Sequence, residues 1–213
     1  SKNYRNLQLD TLKPIYNRAL TATYPPGSMF KLIQALIGLE ENVVSKEDQI
    51  YVDLSRIGDL APAGIYDLNK AIVNSSNNYF HMLFRKLINQ KRDNNTFIDS
   101  RIGLDRWSEY VKKFGLGSDL DFDISNISSG FVPSSEYYDG FYGKGKWKFS
   151  NIYSLSIGQG ELLVTPIQMA NFASIIANRG YYYNPNIVTH INGKKISNNQ
   201  RKYLDIDKTH FDY

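Results

Sequence analysis

Tyr24-Pro25-Pro26-Gly27-Ser28-Met29-Phe30-Lys31-Leu32-Ile33-Gln34-Ala35-Leu36-Ile37-Gly38-Leu39-Glu40 is the stretch whose reading decides the fold. A Pro-Pro-Gly turn opens it, and from Ser28 onward nearly every residue except Lys31 and Gln34 is apolar. Met29, Phe30, Leu32, Ile33, Leu36, Ile37 and Leu39 cover most of a helix circumference, and a helix apolar nearly all round is a buried one. Ser28 and Lys31 stand at i and i+3 and share a face. A serine at a helix N-terminus sits where backbone N–H groups favour developing negative charge. Its hydroxyl is a weak nucleophile until a base takes the proton. Lys31 can be that base only when neutral, and burial lowers a lysine pKa. The plainer alternative is a capping serine followed by a lysine that snorkels to water.

The chain around this stretch is ordinary in bulk. Its 213 residues suit one core or two subdomains, and 42% hydrophobic with 22% charged residues is a globular composition. Net charge is +4, from 25 basic and 21 acidic side chains, too small an excess to argue for nucleic acid. The short basic-aromatic run Lys144-Gly145-Lys146-Trp147-Lys148 does not change that, so no nucleic-acid partner is expected. Without cysteine there are no disulfides or thiolate metal sites. The first residues carry no signal-peptide pattern, and no run is long and apolar enough to span a bilayer.

Patterning assigns further elements. Gln49–Leu54 is a short strand candidate inside an otherwise loop-like 41–66. Asp67–Val73 reads as a helix that breaks at Asn74-Ser75-Ser76-Asn77, and a second helix follows over Tyr79–Asn89. Asp105–Phe114 has Trp107, Tyr110, Val111 and Phe114 at core spacing, with Gly115 as its stop. Residues 117–150, rich in Gly, Ser, Asp and aromatics, show no period and read as a long irregular segment. Thr165-Pro166-Ile167-Gln168 is a capping box with proline at the first helical position. That helix runs to Gly180, and Tyr181–Ile191 is compatible with extended chain.

Asn17-Arg18-Ala19-Leu20 followed by Tyr24-Pro-Pro-Gly-Ser-Met-Phe-Lys31 resembles the first active-site block of class B penicillin-binding proteins, whose Ser-x-x-Lys serine is acylated. Ser75-Ser76-Asn77, 75 − 28 = 47 residues after Ser28, is similar to the second block, Ser-x-Asn, and lies at the inferred helix break. Ser-x-Asn also occurs at Ser76/Asn78 and Ser197/Asn199; the Ser75/Asn77 register is preferred. Ser156-Ile-Gly-Gln-Gly-Glu161 and Val164-Thr-Pro-Ile-Gln-Met-Ala170 resemble a third block of the rod-shape, elongation-type subgroup. Its glycines would let backbone pass close to the catalytic helix, with Gln159 and Glu161 packing rather than reacting.

The resemblance implies Ser28 as nucleophile, Lys31 as general base, Ser75 as proton relay and Asn77 as the group positioning Lys31 and substrate. It implies a D,D-transpeptidase that cross-links peptidoglycan stem peptides ending in D-alanyl-D-alanine and is trapped by β-lactams. By resemblance its place is the periplasmic face of the bacterial inner membrane, among membrane proteins of the elongation complex. The alternative is a catalytically inactive sensor or scaffold of the same fold, and intact Ser28, Lys31, Ser75 and Asn77 argue against it.

This sequence also departs from the family. Position 29 holds methionine where threonine is usual. No Lys-Thr-Gly or Lys-Ser-Gly follows the late helix; Lys208-Thr209-His210 is the nearest string. Strand-forming sequence is missing before Ser28. Residues 1–213 are therefore expected to be a partial transpeptidase domain from a longer protein. Its expected class is mainly α with a few short strands: the helical part of the α/β transpeptidase fold, with most of the central antiparallel sheet missing. Without the third motif's oxyanion donor, roughly 2–4 kcal/mol of transition-state stabilisation would be lost, leaving weak activity or none. Some rod-type relatives bind zinc between the first two blocks. Here Asp53 and Asp59 remain without cysteine or histidine, so neither metal nor cofactor is expected. His81, His190 and His210 are read as surface or core residues.

Overall fold

The computed structural model describes residues 2–196 and 200–212. The chain starts with α1 (Lys2–Leu9) and α2 (Arg18–Thr21), then a 3₁₀ turn (Gly27–Phe30) that runs into α3 (Lys31–Glu40). Strands β1 (Ile50–Val52) and β2 (Gly64–Tyr66) precede α4 (Leu68–Val73), α5 (Asn77–Ile88) and α6 (Thr96–Lys113). Then come α7 (Ser135–Tyr142), α8 (Phe149–Ile152), a 3₁₀ segment (Tyr153–Ile157) and α9 (Pro166–Ala177). Short strands β3 (Tyr181–Tyr182), β4 (His190–Ile191), β5 (Lys194–Lys195) and β6 (Lys202–Tyr203) and a last 3₁₀ turn (Lys208–Phe211) complete it.

Side-chain caps set most helix starts. Asp67 accepts from Lys70 N for α4, Ser76 from Tyr79 N for α5, and Asn95 from Phe97 N and Ile98 N for α6. Thr165 and Gln168 close the box at α9, with Pro166 at its first position.

Around α3 lies the core. Ile33 and Ile37 are fully buried on it, and Phe30 and Phe84 both meet Trp107 edge-on, at centroid distances of 5.8 and 5.3 Å. Trp107 Nε1 donates to the buried Gln34 Oε1 at 2.5 Å, fixing α6 against α3. At the far end of α3, Glu41 accepts from Arg92, Arg106 and Gln90.

The class is the one the sequence implies: helical, with sparse sheet. Strand pairing among the described residues comprises three two-stranded antiparallel pieces, β1–β2, β3–β6 and β4–β5, and two isolated bridges, Tyr24↔Val164 and Phe131↔Leu163. Several local expectations need correction. β1 falls inside Gln49–Leu54, but its partner β2 lies in chain that reads as loop. Helix α6 begins at Thr96, not Asp105. Asn95 caps it there, and Gly103 sits within it because a Cβ at that point would come 2.0 Å from Ile88 O. The irregular stretch 117–150 contains α7 and the start of α8. Met29 is exposed rather than buried with the rest of its helix. Only the two ends of Tyr181–Ile191 are strand.

Candidate active site

Three segments converge on the 3₁₀ turn that carries Ser28. Tyr24 N and O exchange hydrogen bonds with Val164 O and N at 2.9 Å, and Gly27 N donates to Gly158 O at 2.8 Å. The approach at Gly158 (φ +70°) is so close that a Cβ would lie 2.4 Å from Gly27 O and 2.6 Å from Phe30 Cβ. Only glycine combines that left-handed conformation with that contact. Ser28 is thereby held exposed at the surface, while Lys31, one turn on, is only 3% exposed.

The turn between α4 and α5 closes over Lys31. Ser75 N donates to Ile72 O and Ser76 N to Ala71 O, both at 3.0 Å, the paired bonds of a Schellman cap. Its left-handed position, usually glycine, is Ser75 (φ +50°). A non-glycine residue held there is strained, as residues at functional sites often are. This conformation brings Ser75 to Lys31, whose Nζ donates to Ser75 O at 2.5 Å, Ser75 Oγ at 2.9 Å and Asn77 Oδ1 at 2.6 Å. No hydrogen bond among the described residues joins Lys31 to Ser28.

The neighbouring register does something else. Ser76 is buried as the cap of α5, and Asn78 is buried against Ile57. Ser197/Asn199 lies outside the described residues. Lys208-Thr209-His210 forms the last 3₁₀ turn, with Thr209 bonded to Asp207.

A further member of the site is Asp59. One carboxylate oxygen accepts from Ala61 N at 3.1 Å; the other accepts from Ser76 Oγ at 3.0 Å, Asn78 N at 2.8 Å and Asn78 Nδ2 at 3.2 Å. Asn77 Nδ2 adds a bond to Gly58 O at 2.7 Å. The 57–61 loop is thus stapled to the turn that holds Lys31. Sequence reasoning weighed Asp59 only as a metal ligand. The signal it passed over was an aspartate followed two residues on by an N–H it could accept, the start of an Asx turn. Asp53 is bonded to Ser55. Among the described residues no group of three or more His, Cys, Asp or Glu side chains could hold a metal ion.

Burial lowers Lys31 from 10.5 to about 8, with the Asp59 carboxylate opposing part of the drop. At pH 7 about one lysine in ten is then neutral, roughly 300-fold more than for a free lysine. Burial pushes Asp59 up, but hydrogen bonds from the backbone of Asn78, Ala61 and Asn77 and from Ser76 outweigh it and hold the carboxyl below its ordinary value. The arrangement can therefore supply an exposed hydroxyl, a buried amine poised between its charged and neutral forms, and a second hydroxyl bonded to that amine.

The family described as penicillin binding protein transpeptidase domain matches residues 1–213. The chain is 29% identical over 208 residues to the peptidoglycan D,D-transpeptidase MrdA of Acinetobacter baumannii, covering 91% of this chain and 28% of the relative. It thus spans less than a third of that relative's length. Penicillin-binding protein PBP2 of Pseudomonas aeruginosa, in complex with WCK 5153, superposes with a TM-score of 0.77 at 27% identity, over 99% of this chain and 47% of that one. Helicobacter pylori PBP2 in complex with MreC shares the fold, with a TM-score of 0.75 at 23% identity, over 100% of this chain and 37% of that one.

Proposed function

The chain belongs to the penicillin-binding protein transpeptidase family, in its class B, elongation-type branch, and on that premise we propose that Ser28 is the acylated nucleophile of a peptidoglycan D,D-transpeptidase. The substrate is a stem peptide ending in D-alanyl-D-alanine. Ser28 Oγ attacks the carbonyl of the penultimate D-alanine while neutral Lys31 takes the hydroxyl proton. The amide C–N bond then breaks. Ser75, bonded to Lys31, passes a proton to the departing amine of the terminal D-alanine. An amine of a second stem peptide attacks the acyl-enzyme, restoring Ser28 and completing the cross-link. Asn77, whose Oδ1 accepts from Lys31 Nζ, is assigned the positioning of Lys31 and of the substrate backbone.

The observation that carries this reading is the triple bond set from buried Lys31 to the Ser75–Asn77 turn, one helical turn from an exposed serine. A β-lactam presents the same acyl chemistry and would trap Ser28. Partners among membrane proteins of the elongation complex accord with the MreC complex of the H. pylori relative, and the periplasmic face of the inner membrane is the place where such substrates occur. The competing reading is a catalytically inactive sensor or scaffold of the same fold, which predicts no acylation of Ser28.

Intact mass spectrometry after incubation with benzylpenicillin, beside a Ser28→Ala control, tests the proposal. A covalent adduct absent from the control supports acylation at Ser28. An adduct that persists in Ser28→Ala, or none at any pH between 7 and 9, refutes it for this chain.

A further inference from the structure

Asn77, His81 and Arg85 stand at i, i+4 and i+8 and form one stripe along α5. The stripe leaves the candidate active site at Asn77 and ends about 12 Å away along the helix axis. It runs into a cleft lined by Arg56, His81, Arg85, Lys148, Phe149 and Tyr153. Arg56 comes from the loop whose Gly58 carbonyl is bonded to Asn77. Phe149 and Tyr153 belong to the chain that continues to Gly158, against the Ser28 turn. Both walls of the cleft are thus continuous with the catalytic machinery.

The cleft is electrostatically lopsided. Among the described residues no carboxylate lies within salt-bridge distance of Arg56, Arg85 or Lys148, although Glu41, Asp139 and Asp205 each pair with a cation elsewhere. Arg85 instead lies over the Phe149 ring, 5.3 Å from its centroid. His81 is 7% exposed, packs edge-on against Phe149 at 5.2 Å, and its Nδ1 is buried without a hydrogen-bond partner. Burial, then the positive charges of Arg56 and Arg85, lower the His81 pKa. Asp53 acts on Arg56 from beyond salt-bridge distance and is itself bonded to Ser55, so the buried imidazole faces two guanidiniums with no carboxylate paired to either among the described residues. Guanidinium forks match carboxylates in geometry, and aromatic walls favour a peptide over a bare ion.

We propose that this cleft is a carboxylate subsite that receives an acidic residue of the peptide substrate upstream of the bond presented to Ser28. The proposal rests on the transpeptidase reading and names what that reading leaves open: which feature beyond the D-alanyl-D-alanine end is recognised. Bound carboxylate would supply the missing charge to Arg56 and Arg85 and draw His81 toward protonation.

The test compares a stem-like peptide carrying a free glutamyl carboxylate upstream of D-alanyl-D-alanine with the same peptide amidated there. Binding and the His81 titration are followed by imidazole nitrogen NMR, in the native chain and in Arg56→Ala/Arg85→Ala, whose side chains are exposed. Expected is at least about tenfold tighter binding of the carboxylate peptide, the value of one charge-assisted hydrogen-bond pair. An upward shift of the His81 pKa by that peptide alone is expected too, and the double variant should lose both effects. Equal binding of the two peptides, or an unmoved His81, overturns the proposal. So does an Arg56- and Arg85-dependent attachment to phosphatidylglycerol vesicles with no preference between peptides, which would assign the cleft to a lipid surface. Benzylpenicillin acylation, which needs no upstream carboxylate, is measured in parallel. It should be unchanged in the double variant, and its loss in the native chain would instead count against the Ser28 reading.

Discussion

Replacing Ser75 by glycine separates the fold's interest from that of the chemistry. The left-handed conformation costs a non-glycine residue about 1–2 kcal/mol, and glycine removes that cost at the Schellman position. Against this, glycine loses about 0.4–1 kcal/mol through the freer unfolded chain. Both Ser75→Gly and Ser75→Ala forfeit the Oγ bond to Lys31, so the difference between them isolates the backbone. Glycine should be the more stable variant by about 0.5–1 kcal/mol. For a chain of this size that is roughly a 1–4 °C difference in Tm, readable by thermal melting and by urea titration. Benzylpenicillin acylation, followed by mass spectrometry, should slow by about 10²–10⁴-fold in both variants, the usual range for losing a proton-transfer group. A glycine variant clearly less stable than the alanine one would refute the strain argument. A glycine variant that acylates at the native rate would remove Ser75 from the mechanism.

Acylation should rise with pH through a midpoint near 8 as Lys31 loses its proton, and Lys31→Arg, which cannot deprotonate, should abolish it at every pH. Because the Asp59 carboxylate holds the Lys31 pKa up, Asp59→Asn should move that midpoint to lower pH; an unmoved profile would disconnect the two groups. Gly158→Ala, with a Cβ forced to 2.4 Å from Gly27 O in a left-handed conformation, should destabilise by about 2–4 kcal/mol in urea melts and displace the Ser28 turn. Glu41 is raised by burial, but hydrogen bonds from Arg106, Tyr110 and Gln90 outweigh this and hold it below 4.5 in the fold. Its contribution is present above the unfolded value and is lost as pH falls through the folded one. Glu41→Gln should therefore flatten the acid limb of the stability–pH curve, measured by urea midpoints between pH 3 and 6.

Much of the site was legible because its parts are local. Pro-Pro-Gly followed by an apolar run specifies a turn and a buried helix whatever surrounds it, and i, i+3 spacing alone places Ser28 and Lys31 on one face. The capping box at Thr165 was equally readable, since both partners lie within one turn. The β1–β2 hairpin was not, because β2 is a three-residue strand whose partner lies across a loop. Nor was the start of α6, where a mid-helix glycine is needed by the packing of another helix rather than by its own chain.

The sequence by itself determined the turn that carries Ser28, the buried helix behind it and the family, because those are carried by residue types at short fixed spacings. Only the tertiary structure decided which of two overlapping Ser-x-Asn registers meets Lys31, since they differ by one residue and the left-handed backbone at Ser75 selects between them. It also decided the charge state available to Lys31 and the bare cationic cleft around His81. Desolvation and counter-charge are sums over side chains far apart in the chain, and no spacing rule contains them.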